Sequence, residues 1–521
     1  MSDGPHLGKE IAYVNGDLHV EHVDLKTLAK DPDVLTPAYI YSLALMRRRY
    51  NEFMTAMREV DPEALVCFAV KSLSNQSVLR EFAKMEAGAD LVTGGELERA
   101  LRAGFDGKKI VFSGLGKTLE DIERAIAANV QINVESVPEL RIVNDCARSQ
   151  RARVAIRLNP QLEAMRGNLG QITTGKPDSK FGIPWKTVEE LLPEFVNAFP
   201  HIDLVGVSVH VGSNMEVEGV GKQSFEETFK FLTEKVLVKL LDAGIPRPIV
   251  LDLGGGVGID YSQTPQEQHL AGNLSNRSLM PYKELVKGCL GELVRRRQVR
   301  LVFEPGRFLS GEAGVLMTKV LYVKKETENR TRARNGRDAF EIRFLIVDAG
   351  MNDLMRPSLY GAYHHIVPVG YADPDIDNVD ICGPVCETTD SFMRPTREWL
   401  KRYDTLFIGS AVQADNEEAR KTRTLEATAS TFGEVEPLFK DTSDRRTYEY
   451  FMKRRFPASI GQGDLLAILN AGAYGAVMSS EYNSRPLIPE VLVDKNRYAV
   501  IRKRPTYEEL IGRDCTPVWK G

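Results

Sequence analysis

Eight short apolar runs, each ending in a polar or glycine-rich step and separated by stretches of helical periodicity, constrain this chain more than any other feature. They lie at Ala64–Val70, Ala89–Thr93, Lys109–Ser113, Val130–Val134, Arg153–Leu158, Leu204–His210, Ile249–Leu253 and Leu301–Glu304. The first five begin about 20–25 residues apart, which is room for one strand, one helix and two short loops. Between them apolar residues recur at helical spacing, as in Val78, Leu79, Phe82 and Ala83 before Gly88, and Leu97, Ala100 and Leu101 before Gly104. Eight strand-then-helix units predict a (β/α)8 barrel over residues 45–312. Periodicity alone leaves an open, doubly wound sheet as the alternative.

After Arg307 the pattern changes. Gly314–Lys325, Phe340–Asp348 and Asp464–Leu469 read as strands without regular intervening helices, so an α/β barrel followed by a C-terminal β-rich domain over 313–521 is expected. The N-terminal segment 1–44 holds short strand-like pieces, Glu10–Val14 and Tyr39–Tyr41, which are expected to join that second domain. Two charged stretches interrupt it. Glu326–Asp338, with four arginines, reads as a solvated hairpin loop, and about 397–462 forms a long charged insertion.

Charge narrows the class of partner. Sixty-eight basic against 72 acidic residues leave a net charge of −4, so no global field recruits nucleic acid or an anionic membrane, and specificity must be local. A 43% hydrophobic, 27% charged composition supports a substantial core, and small-molecule chemistry becomes the leading class. The amino terminus lacks the pattern of a secretory signal, and no apolar run approaches the roughly 20 residues of a membrane span. Cys67, Cys146, Cys289, Cys382, Cys386 and Cys515 are scattered without CxxC spacing, which argues against a metal cage or a disulfide framework and fits a cytoplasmic setting.

Residues unusual for a packed barrel cluster where the strands end: Lys71, Gly94-Gly95-Glu96, Glu135-Ser136, Arg157 and Asn159, His210 to Ser213, Gly254 to Gly256, and Glu304 to Arg307. In a closed barrel these converge on the carboxyl-terminal mouth, where such folds carry their active sites. An ammonium at the end of the apolar run Ala64–Val70 is costly unless paired or consumed. Lys71 is therefore a candidate Schiff-base lysine, activated by desolvation, with a lysine that snorkels to solvent as the alternative. Gly254, Gly255 and Gly256 offer backbone N–H groups that can cradle a phosphate, or else form a tight structural turn. Ile259 breaks a GxGxxG reading, and Gly116-Lys117-Thr118 lacks the upstream glycine of a P-loop, so nucleotide binding is poorly supported. A reactive lysine with a phosphate cradle points to pyridoxal 5′-phosphate (PLP), whose ring acts as an electron sink when its nitrogen stays protonated, a task for which Glu304 is placed. His210 is a candidate to stack on the ring, or else a satisfied core residue.

These residues resemble the fold-type III, alanine-racemase-like PLP decarboxylases, and among them the diaminopimelate-decarboxylase branch. The resemblance runs from Thr36-Pro-Ala-Tyr-Ile-Tyr41 to Tyr482-Asn483 through Phe68-Ala-Val-Lys71, His210-Val-Gly-Ser213, Gly254 to Gly256, Glu304-Pro-Gly-Arg307, Arg356-Pro-Ser-Leu-Tyr360, Gly383-Pro-Val-Cys-Glu387 and Gly472-Ala-Tyr474. It implies that Lys71 holds PLP covalently, with Asp90 also at the cofactor, that His210 stacks on the ring and that Glu304 pairs with its nitrogen. Ser213, the Gly254 to Gly256 amides and Tyr474 would hold the phosphate. Arg307, Arg356 and Tyr360 would grip a substrate carboxylate remote from the reacting centre. Cys386, as proton donor, and Glu387 would enter the partner's site in a homodimer. The implied reaction is decarboxylation of meso-2,6-diaminopimelate to L-lysine, with no metal. Ser208 and Asn214 depart from the family's H-x-H-I-G-S-Q. Another basic substrate, such as D-lysine or D-ornithine, and a catalytically dead regulatory relative remain as alternatives.

Overall fold

The computed structural model describes residues 10–161, 179–215, 217, 219–259, 261, 279–326, 342–370, 376–392 and 454–520. These fall into two compact units, one within 46–259 and 277–311, the other within 1–45, 260–276 and 312–521.

The first unit is a closed barrel. Its strands are β1 (Leu65–Ala69), β2 (Gly88–Leu91), β3 (Ile110–Phe112), β4 (Gln131–Val134), β5 (Ala152–Asn159), β6 (Ile202–Ser208), β7 (Ile249–Asp252) and β8 (Val299–Phe303). Each pairs in parallel with the next, and β8 returns to β1 through Val302 opposite Leu65 and Phe303 opposite Val66. Closure removes both sheet edges, which decides against the open sheet. Near-continuous apolar runs are what strands buried on both faces require.

Helices start where the sequence offers a cap. Asn75 accepts the Ser77 N–H, Thr93 the Glu96 N–H and Ser136 the Glu139 N–H, while Thr118 and Asp121 form a reciprocal capping box. Such a cap contributes about 1 kcal/mol. Each helix then lays its apolar stripe on the barrel, as when Phe82 stacks on Phe68 of β1 at 4.0 Å between ring centroids. Inside, Cys67, Val111 and Val302 pack together with Leu65 and Val250. Between β6 and β7 the strands approach so closely that a Cβ on Gly206 would lie 1.9 Å from the Val250 carbonyl oxygen.

In the second unit one sheet runs in the order Arg454–Pro457, Ile376–Cys382, Ile342–Val347, Gly314–Glu326, Ala38–Ser42, Glu490–Asp494, Arg497–Arg502. Leu465–Ile468 pairs antiparallel with both Gly314–Glu326 and Ile366–Pro368. The N-terminal strand Ala38–Ser42 is fully buried, and the Tyr41 hydroxyl donates to Glu490 Oε2 at 2.7 Å. Ile11–Val14 lies in the same unit, in a small meander with Asp17–Val20 and Val23–Asp24. Residues 327–338 of the arginine-rich stretch and 397–453 of the long insertion lie outside the described residues. Among the described residues no helix is long and apolar enough to cross a membrane.

Candidate active site

The barrel gathers its polar side chains at the strand ends. A short 3-10 turn, Val70–Ser72, follows β1 and carries Lys71, whose Nζ donates to Asp90 Oδ2 at 2.6 Å. The carboxylate, on β2, is fully buried and the lysine side chain is 31% exposed. Sequence alone suggests an amine activated by desolvation; the structure pairs it instead, because a carboxylate buried that deeply requires a cation. Asp90 Oδ1 has no hydrogen-bond partner among the described residues. Nearby, burial pushes the Glu96 carboxyl up to about 7, against the Val92 N–H that it accepts.

Across the barrel mouth a second group of carboxyls is closed off from solvent. Glu304 follows β8, and its side chain hydrogen-bonds to Asp252 at the end of β7. Asp252 Oδ1 accepts the Gly254 N–H at 3.0 Å and Oδ2 accepts Asn133 Nδ2 at 2.9 Å. Asn133 also donates to Ser113 Oγ at 3.1 Å. Burial and the Asp252 charge raise the Glu304 carboxyl well above the usual carboxylate range, and burial pushes Asp252 up to about 6. Two N–H donors stabilise the ionised form of Asp252, so the pair's proton resides on Glu304. Among the described residues Glu304 forms no ion pair.

His210 stands beside the glycine turn. Burial, with the charges of Arg157 and Lys71, lowers its affinity for a proton, so the imidazole is neutral and offers an uncharged face. A Cβ on Gly254 would lie 2.5 Å from the Val209 carbonyl oxygen, and one on Gly255 2.4 Å from that of Glu304. Glycine is therefore demanded here by the packing of adjacent loops as well as by any ligand. The Gly254 N–H, expected in the cradle, is already committed to Asp252. Those of Gly255 and Gly256 have no acceptor among the described residues. Ser213 Oγ accepts Arg307 Nη2 at 3.1 Å. Asn214, at φ +55°, accepts the Ile259 N–H at 3.1 Å; a short amide side chain tolerates that left-handed backbone and ties this loop to the glycine turn. Arg157 Nη1 donates to the buried Glu135 Oε1 at 2.7 Å.

The remaining expected residues belong to the second unit. Arg356, 7% exposed, opens the helix Arg356–Tyr360, and its guanidinium carbon lies 5.2 Å from the ring centroid of Tyr261 and 6.0 Å from that of Tyr360. Cys386 and Glu387 are exposed, which sets aside a buried-hydrophobe role for the cysteine. Their loop is nonetheless held: Asp390 accepts the Met351 and Val385 N–H groups, and Asn483 accepts that of Cys386 at 3.0 Å. Tyr474 occupies a turn at φ +57°.

Sequence reading passed over Asp252 and Asn133. The signal was present in both cases, a polar side chain within an otherwise apolar strand, as at Lys71.

The site's chemistry fits pyridoxal phosphate. It supplies an amine at a barrel mouth, a buried acid lacking a cationic partner, an orphaned Asp90 oxygen and two unengaged amides. Residues 43–311 match the family model described as "Pyridoxal-dependent decarboxylase, pyridoxal binding domain". Diaminopimelate decarboxylase of Zymomonas mobilis is 34% identical, over 97% of this chain and 98% of its own length. That of Neisseria meningitidis serogroup B is 35% identical, over 92% and 93%. Among solved structures, the diaminopimelate decarboxylase of M. jannaschii in co-complex with L-lysine superimposes with a TM-score of 0.73 at 28% identity, over 98% of this chain and 99% of that one. A Chlorella virus arginine decarboxylase, 15% identical with a TM-score of 0.62, shows the fold alone.

Proposed function

The chain belongs to the pyridoxal-dependent decarboxylases, and from that premise we propose that it decarboxylates meso-2,6-diaminopimelate to L-lysine. The observation that carries the chemistry is the Lys71–Asp90 pair set in the same barrel mouth as the buried Glu304–Asp252 acid pair.

PLP, bound through Lys71, supplies the sink for the electron pair left as CO2 departs. Every other element of the reaction falls to the chain's own residues. Asp90 holds the Lys71 side chain and would keep its nitrogen oriented toward the cofactor. His210 covers one face of the ring as a neutral plane. Glu304 holds a proton where the ring nitrogen would bind, and Asp252 keeps it there. Ser213, the Gly255 and Gly256 amides and Tyr474 take the phosphate, while Gly254 shapes the turn. Arg307, Arg356 and Tyr360 grip the carboxylate that is not lost. The planar fork of a guanidinium matches a carboxylate, so two arginines assigned to the remote end favour a dicarboxylate over a simple basic amino acid. Cys386 and Glu387, exposed on this chain, serve the site of a second copy, where the thiol delivers a proton to the carbon that lost CO2. We therefore read the active form as a homodimer.

Turnover of the PLP-loaded protein on meso-diaminopimelate, D-lysine, D-ornithine, L-lysine and L-ornithine tests the substrate. Meso-diaminopimelate should be preferred by several orders of magnitude in kcat/KM; preference for a monocarboxylate would overturn the assignment. Lys71→Ala should abolish turnover and the absorbance of lysine-bound pyridoxal. Native protein saturated with PLP but lacking that absorbance would favour a non-catalytic relative.

A further inference from the structure

Cys386 sits at the centre of a three-residue turn. The strand Ile376–Cys382 ends just before it, and the chain returns at Ser391, which bridges Cys382. Within that loop the Glu387 N–H donates to the Val385 carbonyl at 2.8 Å, which closes a γ-turn around a single residue. Such a turn uses neither the N–H nor the carbonyl of its central residue. The Cys386 N–H is left to bond elsewhere, and Asn483 Oδ1 accepts it at 3.0 Å.

Asp390, 5% exposed, anchors the same turn from within the fold. Its Oδ2 accepts the Val385 N–H at 2.7 Å and its Oδ1 the Met351 N–H at 2.6 Å. Its backbone joins in, the N–H donating to the Glu387 carbonyl at 3.2 Å and the carbonyl accepting the Gly383 N–H at 3.1 Å. A Cβ on Gly383 would lie 2.5 Å from Asp390 Oδ1 and 2.6 Å from the Gly350 Cα, so the carboxylate is packed where only bare backbone fits. One side chain thus ties the turn to the segment that leads from the strand Ile342–Val347 into the helix Arg356–Tyr360. Ser358 Oγ adds a second tie, donating to the Thr389 carbonyl at 2.8 Å.

A buried carboxylate that accepts two backbone N–H groups holds them more firmly than a neutral acceptor would, because charge-assisted bonds are about twice as strong. Asn483 holds the turn differently. At φ +58° it takes the left-handed backbone that a short amide side chain tolerates, and glycine tolerates it as well. The amide can therefore be removed there without straining the chain.

We propose that Asp390 and Asn483 are positioning residues for the Cys386 thiol: they fix its turn through two separate N–H groups, so that the thiol meets the carbon that has lost CO2 and lysine is the product. The proposal rests on the reading of Cys386 as proton donor. Where the thiol is displaced, the electron pair left by CO2 takes a solvent proton on the cofactor's own carbon instead. Water then cleaves the link between the substrate's carbon and its amine nitrogen; the oxygen leaves with the released aldehyde, the nitrogen stays with the cofactor, and CO2 appears without lysine.

Product partition separates this role from a merely structural one. Lysine and CO2 are measured together over the first turnovers on meso-diaminopimelate, with PLP in excess, for the native protein, Asp390→Asn, Asn483→Gly and Cys386→Ala. The native protein should form the two in equal amounts. Asp390→Asn turns one carboxylate oxygen into an amide group that cannot accept, and Asn483→Gly deletes the acceptor for Cys386. In each, lysine formed per CO2 released should fall by about threefold to tenfold, the scale of one lost hydrogen bond. Cys386→Ala should fall at least as far, and all three variants should keep the absorbance of lysine-bound PLP. In cofactor-free protein, hydrogen exchange of the backbone amides of 383–390 should quicken by about tenfold in Asp390→Asn and Asn483→Gly. Equal lysine and CO2 in either of these two, with Cys386→Ala unequal, would overturn the proposal for that residue and leave the proton-donor reading standing. Equal amounts in Cys386→Ala would overturn that reading and the proposal with it. Unchanged exchange would overturn the proposal too, since the bonds would then not hold the turn. Asn483 is exposed, so Asn483→Gly decides should Asp390→Asn fail to fold.

Discussion

Glu304 and Asp252 give the folded chain a pH signature of its own. Burial raises both acids above their unfolded values, Asp252 to about 6 from 3.8, and Asp90 and Lys71 are the neighbouring charges that act on Glu304 with opposite sign. A raised acid binds its proton more tightly when folded. The Asp252 part of the pair's contribution to stability is therefore complete below about pH 4 and is lost as pH climbs through about 6, and the Glu304 part is lost only well above the usual carboxylate range. Cofactor-free protein should melt at a higher temperature at pH 5 than at pH 7.5 as far as this pair is concerned. Asp252→Asn, which removes one of the two like charges, should flatten that dependence. A variant slope as steep as the native one would mean that the pair does not titrate. The same residues explain why Lys71 was visible in the sequence for only part of the right reason. A lysine after an apolar run is conspicuous, but its buried partner Asp90 sits on a different strand, 19 residues away.

At the scale of elements, the loops after β6 and β7 act as one. The Met215 N–H donates to the Gly256 carbonyl at 2.7 Å, the Gly258 N–H to Met215 at 3.1 Å, and Asn214 takes the Ile259 N–H. A Cβ on Gly256 would come within 2.5 Å of the Gly212 carbonyl oxygen. Gly255→Ala should therefore destabilise the cofactor-free protein by about 1–3 kcal/mol, since its Cβ meets rigid backbone rather than a movable side chain. It should also lower PLP affinity, because the Glu304 carbonyl that it strikes belongs to the residue expected at the ring nitrogen. Gly116→Ala is the matched control: a Cβ there has nothing within 4 Å, and stability should change by less than about 0.5 kcal/mol. Denaturant unfolding of both variants without cofactor checks the pair. Equal, small effects would show that the turn yields to a side chain.

For the whole molecule, the exposed position of Cys386 and Glu387 has a consequence for assembly. If these residues complete the site of a second copy, Lys71→Ala and Cys386→Ala homodimers should each be nearly inactive. Mixing them under conditions that exchange subunits should restore about a quarter of native turnover, since half the dimers are mixed and each carries one intact site. Cys386→Ala should nevertheless keep the spectrum of lysine-bound PLP. No recovery on mixing, with exchange confirmed by mass, would place both residues in the chain's own site or in none.

The alternation of apolar strand and amphipathic helix was sufficient to specify eight strand-and-helix units around a sheet buried on both faces, because such a sheet needs continuous apolar runs; that the sheet closes was decided only by the pairing of the last strand with the first. Strand-end chemistry was legible too: Lys71, His210 and Glu304 are residue types that a packed strand end has little use for, whereas the three glycines are required by loop packing as well. Partnership was not legible. That Lys71 is met by Asp90 and that Asp252 is met by Asn133 both depend on barrel closure and strand register. Closure and register bring together side chains far apart in sequence, 119 residues for Asn133 and Asp252 and 449 for Tyr41 and Glu490. Sequence carries the local period that makes each element; only the folded chain fixes which buried polar atom answers which, because burial without a partner is what makes each of those bonds obligatory.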